Sequence, residues 1–200
     1  MNAIPRLKPY AGPVVLSYGF RPFFLLGGAY AGLAVLAWLP IFHGELQLRT
    51  VFGAVDGHVH EMLYGFLPAV VTGFLLTAIP NWTGRLPVMG RPLAVLFGLW
   101  LAGRIAMAFS AMAPMPAAAI DSAFLIALAG VAGREVLAGK NIRNLPICLM
   151  VSLLALANAG FHALALREMD TAPVERLTLS VIAALIMLVG GRIVPSFTRN

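Results

Sequence analysis

Charge is what this chain has least of. Only 11% of its 200 residues are Asp, Glu, Lys or Arg, against roughly 25% in soluble domains, and 60% are hydrophobic. That balance excludes an ordinary water-soluble domain. Cysteine is nearly absent too. Cys148 stands alone, which excludes an intramolecular disulfide and the paired CxxC ligands of structural zinc. Acidic residues number 8 against 14 basic ones. A basic surplus elsewhere would suggest nucleic acid, but these residues sit in short gaps between long apolar runs, so no nucleic-acid partner is expected. The first apolar run follows Arg6, Lys8 and Arg21, as a secretion signal would. It is too long for a signal core and further runs follow, so it reads as a retained anchor.

What is present is hydrophobic length. A bilayer core about 30 Å thick takes roughly 20 helical residues to cross. Six stretches qualify, roughly 22–42, 58–80, 92–112, 117–137, 145–166 and 176–195. The fold class expected is therefore all-α, a polytopic transmembrane bundle with about six spans in a single domain, bounded by lipid. Lys and Arg in the short connections set its orientation. Ten fall on one side (Arg6, Lys8, Arg21, Arg85, Arg91, Arg134, Lys140, Arg143, Arg192 and Arg199) and three on the other (Arg49, Arg167 and Arg176). Both termini are expected in the cytoplasm.

This topology puts all four histidines, His43, His58, His60 and His162, in one layer near the outer face. The stretch "DGHVHEMLYGF" (56–66) opens the second span. At 100° per residue, His60, Glu61, Tyr64, Gly65, Pro68 and Thr72 share one arc, and Val59, Met62, Leu63, Phe66, Val70 and Phe74 share the other. His58 and His60 diverge by about 200° in a regular helix, so they serve one metal only if His58 precedes the helix. Ionisable groups within a membrane are costly and are candidate functional groups by default. Hydrated headgroup residues account for the same pattern. In the fifth span Asn158 and His162 lie four apart on one face. Histidines from two spans at one depth suit haem iron, and packed, hydrogen-bonded histidines fit the spacing equally. Arg104 lies about 18 Å into the third span at 1.5 Å per residue. There it needs an anion, and Glu61, Asp121 or a haem propionate would serve. Met107, Met112 and Met115 can hold Cu(I) or simply fill apolar gaps. "IPNWT" (79–83) and "VPSFT" (194–198) echo each other at the ends of two inward-running spans, a pattern that also occurs in transporters with repeated halves.

Taken together, "GFRPFFLLG" (19–27), "GHVHEMLYGF" (57–66), "GFLLTAIPNWTGR" (73–85), "LWLAGR" (99–104) and "GGRIVPSFTRN" (190–200) resemble the NnrS family. These are haem- and copper-containing bacterial membrane proteins of the nitric oxide response. The resemblance implies a helical protein of the bacterial inner (cytoplasmic) membrane, a protective role against nitric oxide linked to denitrification and nitrosative stress, and haem b with copper as cofactors. It carries the HxHEM motif onto His58, His60, Glu61 and Met62. Arg104 follows LAG, and the closing motif falls on Arg192, Pro195, Phe197, Thr198 and Asn200. Gly57 stands where the family usually has an aromatic, and Tyr64 where it usually has Phe. Tyr64 thus adds a hydroxyl one turn from His60. Family members are about twice as long, so this chain is expected to be the first half of a longer protein.

Three functions follow as expectations. In the first, the chain is a haem/copper protein that binds nitric oxide or handles its products. His60 ligates iron with His162 as its partner, Arg104, Glu61 and Tyr64 line the cofactor, and His58 and Met62 are the copper candidates. The second is a transporter or channel for a small metabolite that depends on Arg104 or Glu61. The third is an assembly or sensing partner without a metal of its own. No reaction is assigned.

Overall fold

A computed structural model describes the backbone of residues 10–198 and the side chains of residues 10–191. Arg6 and Lys8 of the charge count, and the side chains of Arg192, Pro195, Phe197, Thr198, Arg199 and Asn200, lie outside the described residues. Among the described residues the chain is all-helical, with no strand, and six helices are long and apolar enough to cross a membrane. These are α1 (Phe20–Phe42), α2 (Ala54–Thr83), α3 (Arg91–Ala108), α4 (Pro114–Ala138), α5 (Leu145–Ala165) and α6 (Ala172–Thr198). The protein is thus a multi-pass membrane protein in contact with the bilayer.

Proline starts several of these helices. Pro92, Pro114 and Pro146 sit in the first helical positions of α3, α4 and α5, where a missing N–H costs nothing and φ is already set. Gly84 ends α2 in the left-handed conformation, with φ 70°, which glycine adopts without strain. α3, α4, α5 and α6 follow one another as packed neighbours, and α1 packs on α2. α2 also touches α3 and α6 through Glu61–Phe66, and α4 through Leu67–Thr83. It is the hub: 56% of its most apolar stretch is buried within the protein, against 6% for α1. α1 therefore presents Leu25, Leu33 and Leu36 outward. Phe23 of α1 anchors the core beside Phe97, Trp100 and Phe124, at ring-centroid distances of 5.6, 6.4 and 5.9 Å.

Hydrogen bonds between connections confirm the alternation of ends. On one end Ala111 N–H donates to Arg49 O, and Val51 N–H donates to Ser110 Oγ at 3.0 Å. On the other, Gly90 N–H donates to Leu16 O, and Asn141 Nδ2 donates to Trp82 O. The first end holds the connection between α1 and α2 and that between α3 and α4.

Two departures from sequence expectation matter for the site. α3 stops at Ala108, before the expected residue 112, because Phe109 leaves helical geometry and Ser110–Met112 form a 3-10 turn tied to Thr50 and Val51. Arg104 therefore lies one turn from the end of its helix instead of at mid-span. The second departure is inside α2, where Glu61–Phe66 forms a π-helical segment. Pro68 explains it. A proline ring collides with the carbonyl four residues back and has no N–H to offer it. Widening the turn before Pro68 relieves that collision, and Leu67 N–H bonds to Met62 O, five residues back. π segments of this kind are often found at functional sites.

Candidate metal centre

The π segment begins immediately after His60, which is fully buried. Its wider turn departs from 100° per residue, so Leu63, Tyr64 and Gly65 are all buried in succession. His60 meets Asp121 of α4 and Asn158 and His162 of α5. Asn158 and His162, one turn apart, face the same way, as their spacing requires. Asp121 Oδ2 lies 2.8 Å from His162 Nε2 and 3.3 Å from His60 Nε2, and it accepts from Asn158 Nδ2 at 2.8 Å. Asn158 Oδ1 is 3.3 Å from His60 Nε2. The other nitrogen of His60, Nδ1, faces Glu61 Oε1 at 3.4 Å.

A second tier holds these groups. Glu61 Oε2 accepts from Tyr30 of α1 and from the Arg104 guanidinium of α3. The same guanidinium donates to Asp121 Oδ1. Arg104 thus bridges the carboxylates of α2 and α4, and its Nε is buried without a hydrogen-bond partner. Two glycines make room. A Cβ on Gly65 would fall on the Arg104 guanidinium and the Glu61 carboxylate, and one on Gly103 would lie 3.2 Å from Asp121 Cα and Oδ1. The indole N–H of Trp100 donates to Gly65 O at 2.9 Å, fixing α3 against the π segment.

Aromatic rings close the cluster. Phe52 caps it from the connection, 5.1 Å from the His60 ring and 5.9 Å from that of His162. Phe161 and Tyr64 pack on His60, each at 5.3 Å. Water is therefore largely excluded from Asp121 and the two imidazoles, while Glu61 keeps an edge toward the neighbouring cavity. With both imidazoles neutral the formal charge is −1. Buried charge of that kind is costly unless paired, which favours a further cation beside the two carboxylates.

Among the described residues, His60, Asp121 and His162 form a group whose ligand atoms all lie within 4.8 Å of one another. Each comes from a different helix, and all three are buried. The Nδ1 contact to Glu61 leaves His60 Nε2 as the ligating atom, and carboxylates commonly orient metal-bound histidines in this way.

The family model for NnrS protein matches residues 14–200. The chain belongs to the NnrS family. Neither the curated proteins nor the solved structures contain a match to it. NnrS membership suggests a membrane protein of the nitric oxide response.

The cofactors implied by the NnrS resemblance can be set against these residues. Two imidazoles that grip haem iron must stand on opposite faces of a porphyrin. Here the ring centroids are 4.9 Å apart and both Nε2 atoms face one Asp121 oxygen. With Phe52, Tyr64 and Phe161 packed around them, this pair does not fit a haem between its rings. Cu(I) favours thiolate and thioether ligands. Cys148 is fourteen residues before His162 on α5, about 21 Å along the helix. Met112 and Met115 are exposed, Met62 is half-buried, and Met107 is buried in the wall of the cavity beside the cluster. A small ion held by nitrogen and oxygen does fit.

The other expected residues fall elsewhere. The Tyr64 ring touches His60, but its hydroxyl bonds Thr178 Oγ1 of α6 at 2.6 Å. His58 stacks on Trp38 of α1 at 4.4 Å, away from His60, as their spacing requires. His43, at the end of α1, is exposed and lies edge-on to Phe42. A cavity of about 380 Å³ opens beside the cluster, with Tyr30, Trp38, His58, Glu61, Arg104 and Met107 in its wall. His60 and His162 are not part of that wall. Sequence reasoning paired Arg104 with Glu61 or Asp121, but it missed Asp121 as the joint between the histidines, Tyr30 as the brace of Glu61, and Phe52 as the cap. An acidic residue seven positions into an apolar helix was the available signal for Asp121.

Proposed function

We propose that this NnrS-family chain works as a metalloprotein of the bacterial inner membrane in the response to nitric oxide. Its metal is held in the outer leaflet half by His60, His162 and Asp121. The observation that carries this reading is the convergence of three buried ligands from three helices, with Glu61 behind His60. Two imidazoles that converge on one carboxylate oxygen, with a second carboxylate behind His60, offer a cation a set of nitrogen and oxygen donors. Arg104, Glu61 and Tyr30 hold the ligand side chains in place, and Phe52 keeps water out. A bound metal would supply the electron-accepting centre on which a small ligand such as nitric oxide sits. Haem b and copper are what the family implies, and a single preparation tests for both. Metal analysis and reduced-minus-oxidised spectra are recorded for the parent chain, His60→Ala and His162→Ala. The proposal expects metal in the parent and its loss in both variants. Equal metal in all three proteins would refute it.

The cavity supports a second reading, transport of a small molecule past Glu61 and Arg104. That reading predicts uptake into vesicles that fails in Glu61→Gln and continues after metal is stripped.

A further inference from the structure

We infer that the His60–Asp121–His162 cluster is a mononuclear non-haem site for a divalent first-row ion, of the two-histidine, one-carboxylate type. The inference rests on the metalloprotein reading above and names the class of metal.

The first argument is donor chemistry. The group offers two imidazole nitrogens and a carboxylate oxygen, with a further amide oxygen, Asn158 Oδ1, 3.3 Å from His60 Nε2. Nitrogen and oxygen donors suit Fe(II), Co(II), Ni(II), Cu(II) and Zn(II), whereas Cu(I) selects sulfur. The second is spacing. Donors about 2.1 Å from an ion lie about 3.0 Å apart at neighbouring octahedral positions and about 3.4 Å apart in a tetrahedron. His162 Nε2 and His60 Nε2 stand 2.8 and 3.3 Å from Asp121 Oδ2. Two edges of the ligand triangle are therefore already at coordination distance, and all three ligand atoms lie within 4.8 Å of one another. The third is orientation. Both Nε2 atoms turn inward and converge on Asp121 Oδ2, beside which an ion would sit, and Glu61 engages His60 from behind. The fourth is charge. A divalent ion takes the cluster from −1 to +1, which in a water-poor site favours a small anion such as hydroxide at an open position.

The test uses Co(II) as the probe, because its visible bands report coordination number. The full chain in lipid nanodiscs is stripped with chelator and titrated with Co(II), and separately with Cu(I) against a Cu(I)-selective competitor. The expected result is one Co(II) per chain with weak bands of five- or six-coordination. His60→Gln, His162→Gln and Asp121→Asn should lose it, and His58→Ala should keep it. Glu61→Gln should bind about 10–100-fold more weakly, with coordination number unchanged. Helical circular dichroism and monodispersity show that each variant is folded. Should either Asp121→Asn or His162→Gln misfold, the remaining variant and the Glu61→Gln affinity decide the matter. Tight Cu(I) binding that depends on His60, without Co(II) binding, would overturn the inference and leave the metalloprotein reading standing. A haem band that depends on His60 would do the same. Absence of any His60-dependent metal would overturn both.

Discussion

Arg104 of α3 donates to Asp121 of α4 with one amino group and to Glu61 of α2 with the other. One planar guanidinium thereby locks three helices around the two histidines. A buried ion pair adds little over an apolar replacement of the whole group, but removing one member strands the others. Arg104→Met should therefore cost about 3–5 kcal/mol, read as a fall in the apparent melting temperature in detergent. Arg104→Lys should not restore it, because an ammonium is a point charge and lacks the fork that spans two carboxylates. Adding Glu61→Gln to Arg104→Met should cost less than the sum of the two single changes. A full, unperturbed melting temperature for Arg104→Met would show that the bridge is absent.

Gly65 gives a sharper test, since it leaves every charged group in place. A Cβ there collides with the Arg104 guanidinium and the Glu61 carboxylate. Overpacking of this kind costs about 1–3 kcal/mol. Gly65→Ala should lower thermal stability and weaken metal binding together. Gly28→Ala and Gly98→Ala, which meet nothing within 4 Å, serve as controls. Alanine is the better helix former by about 1 kcal/mol in soluble hosts, so these two should be neutral or mildly stabilising. Equal behaviour of all three variants would place the Arg104 fork away from Gly65.

The π segment yields a third prediction. Pro68 forces the wide turn, and Trp100 satisfies Gly65 O within it. Trp100→Phe keeps most of the ring and deletes the N–H donor. The carbonyl then goes without this partner in a dry setting, at a cost of about 1–3 kcal/mol. Thermal denaturation of the variant measures this. Stability identical to that of the parent chain would mean that the indole bond contributes nothing.

Much of this fold is written plainly in the sequence. Six apolar runs of bilayer length give six helices, and their ends shift by only a few residues where capping chemistry decides. His60, Glu61, Arg104 and His162 stand out for a simple reason: ionisable groups are rare in apolar helices, so each one is visible. The contacts among them are harder to read. Asp121 reads from the sequence only as a candidate anion for Arg104, because nothing local says that it also meets His60 and His162. Tyr30 and Phe52 look like ordinary apolar or interfacial residues until the helices are packed. The π segment escaped because a strict 100° repeat assumes an unbroken helix, although Pro68 marks the place where that assumption fails. Haem ligation by His60 and His162 was inferred from common depth. Depth fixes one coordinate of two side chains and says nothing about what lies between them, which proves to be Asp121.

Ligand removal gives the last prediction. An ion that binds the folded chain and not the unfolded one stabilises by RT ln(1 + [L]/Kd), about 2.7 kcal/mol when the free ion is at 100 times its Kd. Co(II) at that level should therefore raise the apparent melting temperature of the chelator-stripped parent chain, and added chelator should reverse the rise. His58→Ala should respond as the parent does, because His58 stacks on Trp38 and faces the cavity, not the cluster. His162→Gln should show no rise, since it loses the imidazole 2.8 Å from Asp121 while keeping a polar side chain of similar length. The comparison of His58 with His162 separates the cluster from adventitious binding at surface histidines. A rise that vanishes in His58→Ala and persists in His162→Gln would move the metal out of the cluster and into the cavity beside it.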